Sequence, residues 1–438
     1  MAVSRDKAPT AQETFMQMAQ AAGLRGRILV TVGLIVLVRL GVWLPVPGID
    51  RARFASDFQN SPFFGLLNAF SGGGLESLGI FALGILPFIN ASIAVQLLTA
   101  AIPSLEDLQK NEGEAGRRKI SQITRYVALG VAVLQSTGIA IWTSAYMSPS
   151  NPDPVPFFIA KTMLALVAGA MFVMWVSELI TERGIGNGAS LLIFVNIVAV
   201  LPYSLGDTIE LAQRDQGIVG RVLILVMVFL VTIVGIVFVQ EGARRIPIIS
   251  ARRQVGRRLY RERTSYLPLR LNQGGVMPII FASSFLILPG FLAEATNNPM
   301  LSNVGRYLGP NSPWPWLYVS FYLVLILFFS YFYASLTLDP ADLSKNLKKM
   351  GSSIPGIRPG KATEQYISQV LNRLTFLGAI FLGLVATVPT AVEGATRVST
   401  FQGLGATSLL IIVGVAIDTA KQIQTYVISQ RYEGMVKQ

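Results

Sequence analysis

The chain has 438 residues, 52% of them hydrophobic and only 14% charged, and a net charge of +12. Soluble domains carry about 25% charged residues, so this composition belongs in a membrane. Neither cysteine nor histidine occurs, which excludes disulfides, thiol nucleophiles, imidazole bases and Cys/His metal centres. Residues 1–27 contain no apolar run ending in a cleavage site, so they read as a cytosolic segment with room for a surface-lying amphipathic helix. A membrane span needs about 20 mostly apolar residues that satisfy their own backbone groups. Ten segments qualify: 28–46, 79–101, 122–146, 156–180, 186–204, 218–240, 275–292, 316–336, 374–392 and 405–430. The second, fifth and seventh are the weakest, with glycine, proline, asparagine or serine where leucine is usual.

Span one contains Arg39, and a charge within the membrane costs about 2.5–3.5 kcal/mol, so it calls for snorkelling or a backbone carbonyl partner. The outward segment 58–80 follows. Its apolar run, with Phe63, Phe64, Leu66, Leu67 and Phe70 around Asn68, is too short to span, and Gly72, Gly73 and Gly74 join it to span two. Two readings fit: a short helix folded back on a glycine hinge to close an outward funnel, or an interfacial loop without a gating role.

Span two contains GILPFINAS from Gly84, and span seven contains GVMPIIFAS from Gly275; five of nine positions match without a gap. Each lies second in its group of five spans. Two halves related by an internal repeat leave this trace, and an odd number of spans per half makes the repeat inverted. Weakened spans at corresponding places line the functional pathway in such proteins. A chance match between small-residue-rich helices is the alternative. The weak spans present isoleucines beside small polar groups: Ile85 and Ile89 with Asn90, Ser92 and Gln96; Asn187, Ser190 and Ile193; Ile280 with Ser283 and Ser284. A ring of isoleucines in a pore blocks ions by dewetting, whereas any one of them alone more often packs between helices. Glu178 lies near the cytosolic end of span four. Asp418 and Lys421 share a face of span ten and are expected to neutralise each other. No mid-membrane acidic pair offers a coupling ion a site.

Positive charge alternates between loops. Lys110, Arg117, Arg118 and Lys119 follow span two, nine arginines from Arg244 to Arg270 follow span six, and Lys345, Lys348, Lys349, Arg358 and Lys361 follow span eight. The odd-numbered loops are poor in Lys and Arg, so both termini and the even loops are expected in the cytosol. The two long cytosolic loops far exceed the about 2–8 residues usual between packed helices, which suggests a docking platform. Within the first, RRIPIISARRQVGRRLY reads as a protruding hairpin. Anionic lipid, ribosomal RNA phosphates and an acidic face on a protein motor are the possible acceptors of this basic charge. A loop built to project away from the membrane favours a platform shared by ribosome and motor.

Four stretches, in order, carry a resemblance: FSGGGLESLGIFALGILPFINASIAVQLL (70–98), LEDLQKNEGEAGRRKISQITRY (105–126), ITERGIGNGASLLIF (180–194) and NLKKMGSSIPGIRPGKATEQYI (346–367). They resemble the SecY family, the pore subunits of the bacterial-type protein-translocation channel, from about Arg25 to Glu433, and most resemble its cyanobacterial and plastid-type members. The resemblance implies an all-α polytopic membrane protein whose ten helices form two inverted five-helix halves of an hourglass channel with a plug. It places the pore ring on Ile85, Ile89, Ile193, Ile280 and Ile411. The plug falls on about 60–75, including Asn68. The lateral gate falls between spans two and three on one side and seven and eight on the other, with Gln96 and Asn187 matching its polar cluster and Asn90, Ser92, Ser283 and Ser284 as further candidates. Arg358 of GIRPG falls where the family engages its motor ATPase, SecA. Arg244, Arg245, Arg252, Arg253, Arg257 and Arg258 fall on the loop that docks ribosome or motor. Two companion subunits, SecE and SecG, are implied, with signal peptides and nascent polypeptides as cargo.

The expected division is a cytosolic segment 1–27, an N-terminal half 28–204, a C-terminal half 205–430 with cytosolic loops about 241–274 and 337–373, and a tail 431–438. The expected function is a passive gated polypeptide channel, not an enzyme and without cofactors, in a bacterial plasma membrane or a thylakoid. No phosphate-binding loop motif is present, so the energy is expected from a partner. The competing readings are an inverted-repeat transporter of a small solute, which requires mid-membrane charged groups, and a ribosome-recruiting scaffold, which leaves the broken spans unexplained.

Overall fold

The computed structural model describes residues 22–51, 53–54, 68, 71–110, 113–149, 151–214, 216–250, 253–255, 258–260, 264–296, 303, 307, 312, 314–396 and 406–436. Each expected span has its helix. The first five are α1 (Ala22–Val42), α2 (Leu86–Ala101), α4 (Gly113–Thr143), α5 (Val155–Arg183) and α6 (Gly188–Arg214). The second five are α7 (Gln216–Glu241), α8 (Met277–Thr296), α9 (Pro315–Thr337), α11 (Lys361–Thr396) and α12 (Ala406–Val436). Two short helices, α3 (Pro103–Lys110) and α10 (Pro340–Lys349), lie in the loops after spans two and eight. The expected surface helix within 1–27 lies almost wholly outside the described residues. Five helices are long and apolar enough to cross a membrane alone, among the described residues. The spans read as weak are shorter: α2 has 16 residues, and the apolar parts of α6 and α8 are Gly188–Pro202 and Met277–Leu286.

Local sequence explains the boundaries. α1 ends at Val42, four residues before the expected limit, because Pro45 and Pro47 disfavour helical conformation in the residues before them. Span two is a half-span: Gly79 bridges to Pro45, residues 80–85 are turns, and helix begins only at Leu86, with a proline in its first turn. Pro103 starts α3, which bends from α2 by 105°.

Packing reproduces the inverted repeat. In the first half, the second span packs on the third, the third on the fourth, the fourth on the fifth, and the first on the fourth. Each of these pairs recurs five spans later: α8 on α9, α9 on α11, α11 on α12, and α7 on α11. The halves meet along two seams. On one, α8 lies against α2 and α4; on the other, α6 lies against α7 and α12. Outward, α7 exposes Leu223, Met227, Leu230, Val234 and Phe238 at helical spacing, the face that lipid covers in a span.

The expected hairpin forms, and it adds a small β component to the all-α fold. Strand β1 (Ala243–Ser250) pairs antiparallel with β4 (Thr264–Arg270), from Ala243 opposite Arg270 to Ile249 opposite Thr264. A tip hairpin, β2 (Arg253–Val255) with β3 (Arg258–Tyr260), extends it. β1 also pairs with β5 (Ser352–Ser353) of the second long loop, so the two loops form one platform. Side chains alternate along a strand: Ile246 and Ile248 face inward with Leu269, against Leu347, Ile354 and Ile367. Arg27 of α1 stacks 5.0 Å from the Tyr426 ring of α12, which puts the N-terminal end of α1 beside the C-terminal part of α12. Lys421, which acts on Asp418 as expected, makes its ion pair with Glu241 at the end of α7, 2.8 Å away, and so ties α12 to the root of the platform.

Candidate functional site

The two broken spans have one local design. Gly84 and Gly275 both adopt left-handed backbone, with φ of +52° and +60°, a conformation open to glycine at little cost. The helices α2 and α8 then begin two residues later, each with proline as its second residue. Ile89 and Ile280 occupy equivalent places, as do Ala91 and Ala282, which are fully buried. The nine-residue match is therefore a structural repeat.

This design carries isoleucines inward. Ile85 and Ile89 from the start of α2, Ile193 from α6, Ile280 from α8 and Ile411 from α12 lie in one apolar cluster, and none is more than 6% exposed. The cluster draws on both halves and sits where they meet. Such a wall offers no hydrogen bond and excludes water from whatever small gap it leaves.

Above it runs the segment 71–85, held against the end of α1. Val46 N–H donates to Leu78 O at 3.0 Å, and Ile80 N–H donates to Leu44 O at 2.8 Å. Close approach depends on glycine: a Cβ at Gly79 would lie 2.1 Å from Val42 O, and one at Gly169 would lie 2.1 Å from Ile80 O. Of the plug range 60–75 only Asn68 and residues 71–75 are described. Its Nδ2 donates to Glu76 Oε2 at 2.9 Å and its Oδ1 accepts from Glu76 N–H at 3.2 Å. Phe63, Phe64, Leu66, Leu67 and Phe70 lie outside the described residues. Arg39 has the backbone carbonyl partner its position called for: Nη1 donates to Gly72 O at 2.8 Å.

Beside the cluster, a cavity of about 430 Å³ opens along the seam of α2 and α4 with α8. Ser92, Gln96 and Asn187 line it together with Ile89, Met277 and Phe281. Gln96 Nε2 donates to Ser92 Oγ at 3.1 Å, and Asn187 Oδ1 accepts from Ser190 N–H at 3.3 Å at the start of α6. The other three polar candidates are not in its wall. Asn90 is half-buried, Ser284 is buried, and Ser283 Oγ donates to Ile280 O of its own helix at 3.0 Å. Sequence reading missed an ion pair in this wall, Arg125 Nε to Glu178 Oε1 at 2.8 Å. Spans three and four are antiparallel neighbours, so the start of one and the end of the other lie at one depth, and their opposite charges carried that signal.

On the platform, Arg244 and Arg245 are exposed at the root of β1, and Arg358 is exposed in the turn between Gly356 and Gly360. Arg253 and Arg258 sit on the tip strands; Arg252 and Arg257 lie outside the described residues. The exposed Lys345, Lys348 and Lys349 of α10 extend the basic surface.

Two five-helix halves, a shared apolar constriction and a polar cavity along one seam define a polytopic helical channel fold. The SecY family model matches residues 79–420. The protein translocase subunit SecY of Synechococcus elongatus is 70% identical, with both chains covered in full. The chloroplastic preprotein translocase subunit SECY of Zea mays is 42% identical over 94% of this chain and 73% of its own length. Among solved structures, a SecY channel whose plug domain stabilises the closed state matches with a TM-score of 0.62 at 15% identity, covering 97% of this chain and 95% of the other. Canine Sec61 in a ribosome-channel complex matches with a TM-score of 0.56 at 15% identity, over the same shares. The chain belongs to the SecY family. Nothing among these relatives supports the small-solute transporter.

Proposed function

We propose that the chain is the channel-forming subunit of a protein translocase, a passive gated conduit for unfolded polypeptides. The observation that carries this reading is the closure of five isoleucines from both halves on one constriction beside a polar cavity along a helix seam. An extended chain passes such a ring without specific bonds, and apolar side chains seal loosely around any sequence. The seam of α2 and α4 with α8, and with α9 behind it, serves as the lateral gate. A signal helix inserts there, with its polar flank against Ser92, Gln96 and Asn187, and transmembrane segments leave there into lipid. The segment around 60–75 acts as the plug.

The ring does no catalysis, and the driving energy comes from a motor ATPase, SecA, or from the translating ribosome. The fused basic platform suits both: rRNA phosphates are met by Arg244, Arg245, Arg252, Arg253, Arg257 and Arg258, and the motor by Arg358. Ribosome-bound Sec61 among the fold neighbours supports the first of these. The platform lies on the cytosolic side with both termini, as the charge alternation of the loops requires. Companion subunits SecE and SecG, anionic lipid around the basic loops, and a plasma or thylakoid membrane complete the reading, in keeping with the cyanobacterial and chloroplast relatives. The division into halves follows the repeat, with the boundary expected between 204 and 205 falling inside α6, which runs on to Arg214. Replacing Ile85, Ile89 and Ile193 together with serine is expected to raise resting ion conductance in planar bilayers. Conductance equal to the parent would sink the seal.

A further inference from the structure

We propose that Arg39 is a positioning residue that latches the plug segment, through its bond to Gly72, and so sets how readily the channel opens at rest. This rests on the channel reading and deepens it. Arg39 stands in the last turn of α1, where the carbonyl end of the helix tolerates a cation. Tolerance does not explain its direction. The guanidinium crosses to a backbone oxygen 33 residues downstream, at 2.8 Å. Gly72 is buried and left-handed, with φ of +67°. A Cβ there would lie 2.5 Å from Arg39 Nη1 and 2.7 Å from Asn196 Oδ1. Arg39 of span one bonds this glycine, and Asn196 of span five lies against it. Asn196 is buried on α6, three residues after Ile193 of the constriction. Gly72 thus sits against the helix that carries Ile193.

A second observation concerns the far side of the same segment. Leu78 is 1% exposed and holds φ of +45°, a conformation a bulky side chain keeps only where its surroundings over-determine it. The stretch from Gly72 to the constriction is thus held under strain between two anchors. Arg39 is half-buried, and a charge-assisted bond to a carbonyl is stronger than a neutral one and is lost as a unit when the donor goes. Its loss releases one anchor and lets the strain favour displacement. Arg39 then acts as a threshold: only a substrate whose signal helix binds well enough breaks the bond.

The test uses the full chain assembled with its companion subunits, reconstituted in planar bilayers and in translocation-competent vesicles. Arg39→Met is expected to raise resting conductance about tenfold, equivalent to about 1.4 kcal/mol on the closed–open equilibrium. It is also expected to let a secretory precursor with a shortened signal sequence pass. Arg39→Lys, which keeps the charge on a less well-matched donor, is expected to fall between parent and Arg39→Met. Gly72→Ala keeps the arginine but forces it off the carbonyl, and is expected to leak like Arg39→Met; it decides the case if Arg39→Met fails to accumulate. Parent-level conductance in these variants, alongside a leaking triple isoleucine variant, overturns the latch and leaves the channel reading standing. If the triple isoleucine variant is also silent, the channel reading fails and the latch with it.

Discussion

Gly169 on α5 shows how much of this molecule turns on single atoms. Its missing Cβ leaves room for Ile80 O of the turn before α2. Gly169→Ala is expected to destabilise by about 1–3 kcal/mol, the usual range for overpacking, and to lower the thermal midpoint of the detergent-solubilised protein. An unchanged midpoint would mean that the turn can shift freely. Sequence gave no warning at this position, because a contact between a helix and a turn some ninety residues away leaves no periodic mark. Arg39 was different: a lone charge in an apolar span demands a partner, and of its two expected solutions the carbonyl is the one adopted. The Asp418–Lys421 pairing is only part of the outcome. Helical spacing permits that pair, but Glu241 at the end of a neighbouring span offered Lys421 a closer anion.

At the scale of elements, the half-helices α2 and α8 depend on their left-handed glycines. Gly84→Ala and Gly275→Ala are each expected to cost about 1–2 kcal/mol through the forced φ. Gly33→Ala, inside α1 with open space around it, is expected to be neutral or slightly stabilising. Thermal unfolding of the three variants separates the cases, and equal shifts in all three would remove the special role of the two turns. The broken spans were legible because proline and glycine interrupt apolar runs visibly. Where helix resumes was not, and the expected span 79–101 became turns up to Ile85. The hairpin was readable from β-type residues flanking a polar centre. Its pairing with Ser352 and Ser353 was not, because two serines in a loop carry no strand signal until another edge supplies hydrogen-bond partners.

Across the whole molecule, ten spans, their inverted order and the meeting of the halves followed from hydropathy, charge alternation and one nine-residue match. The seams did not, since which faces of ten apolar helices touch depends on small-residue packing that composition hides. The central claim is that a polypeptide threads the isoleucine constriction. It is tested most directly by a photoreactive residue at Ile89 in membranes carrying a stalled secretory chain. A crosslink to that chain, lost when its signal sequence is deleted, is the predicted result. Crosslinks confined to the platform, at Arg245 or Arg258, with none at Ile89, would contradict it.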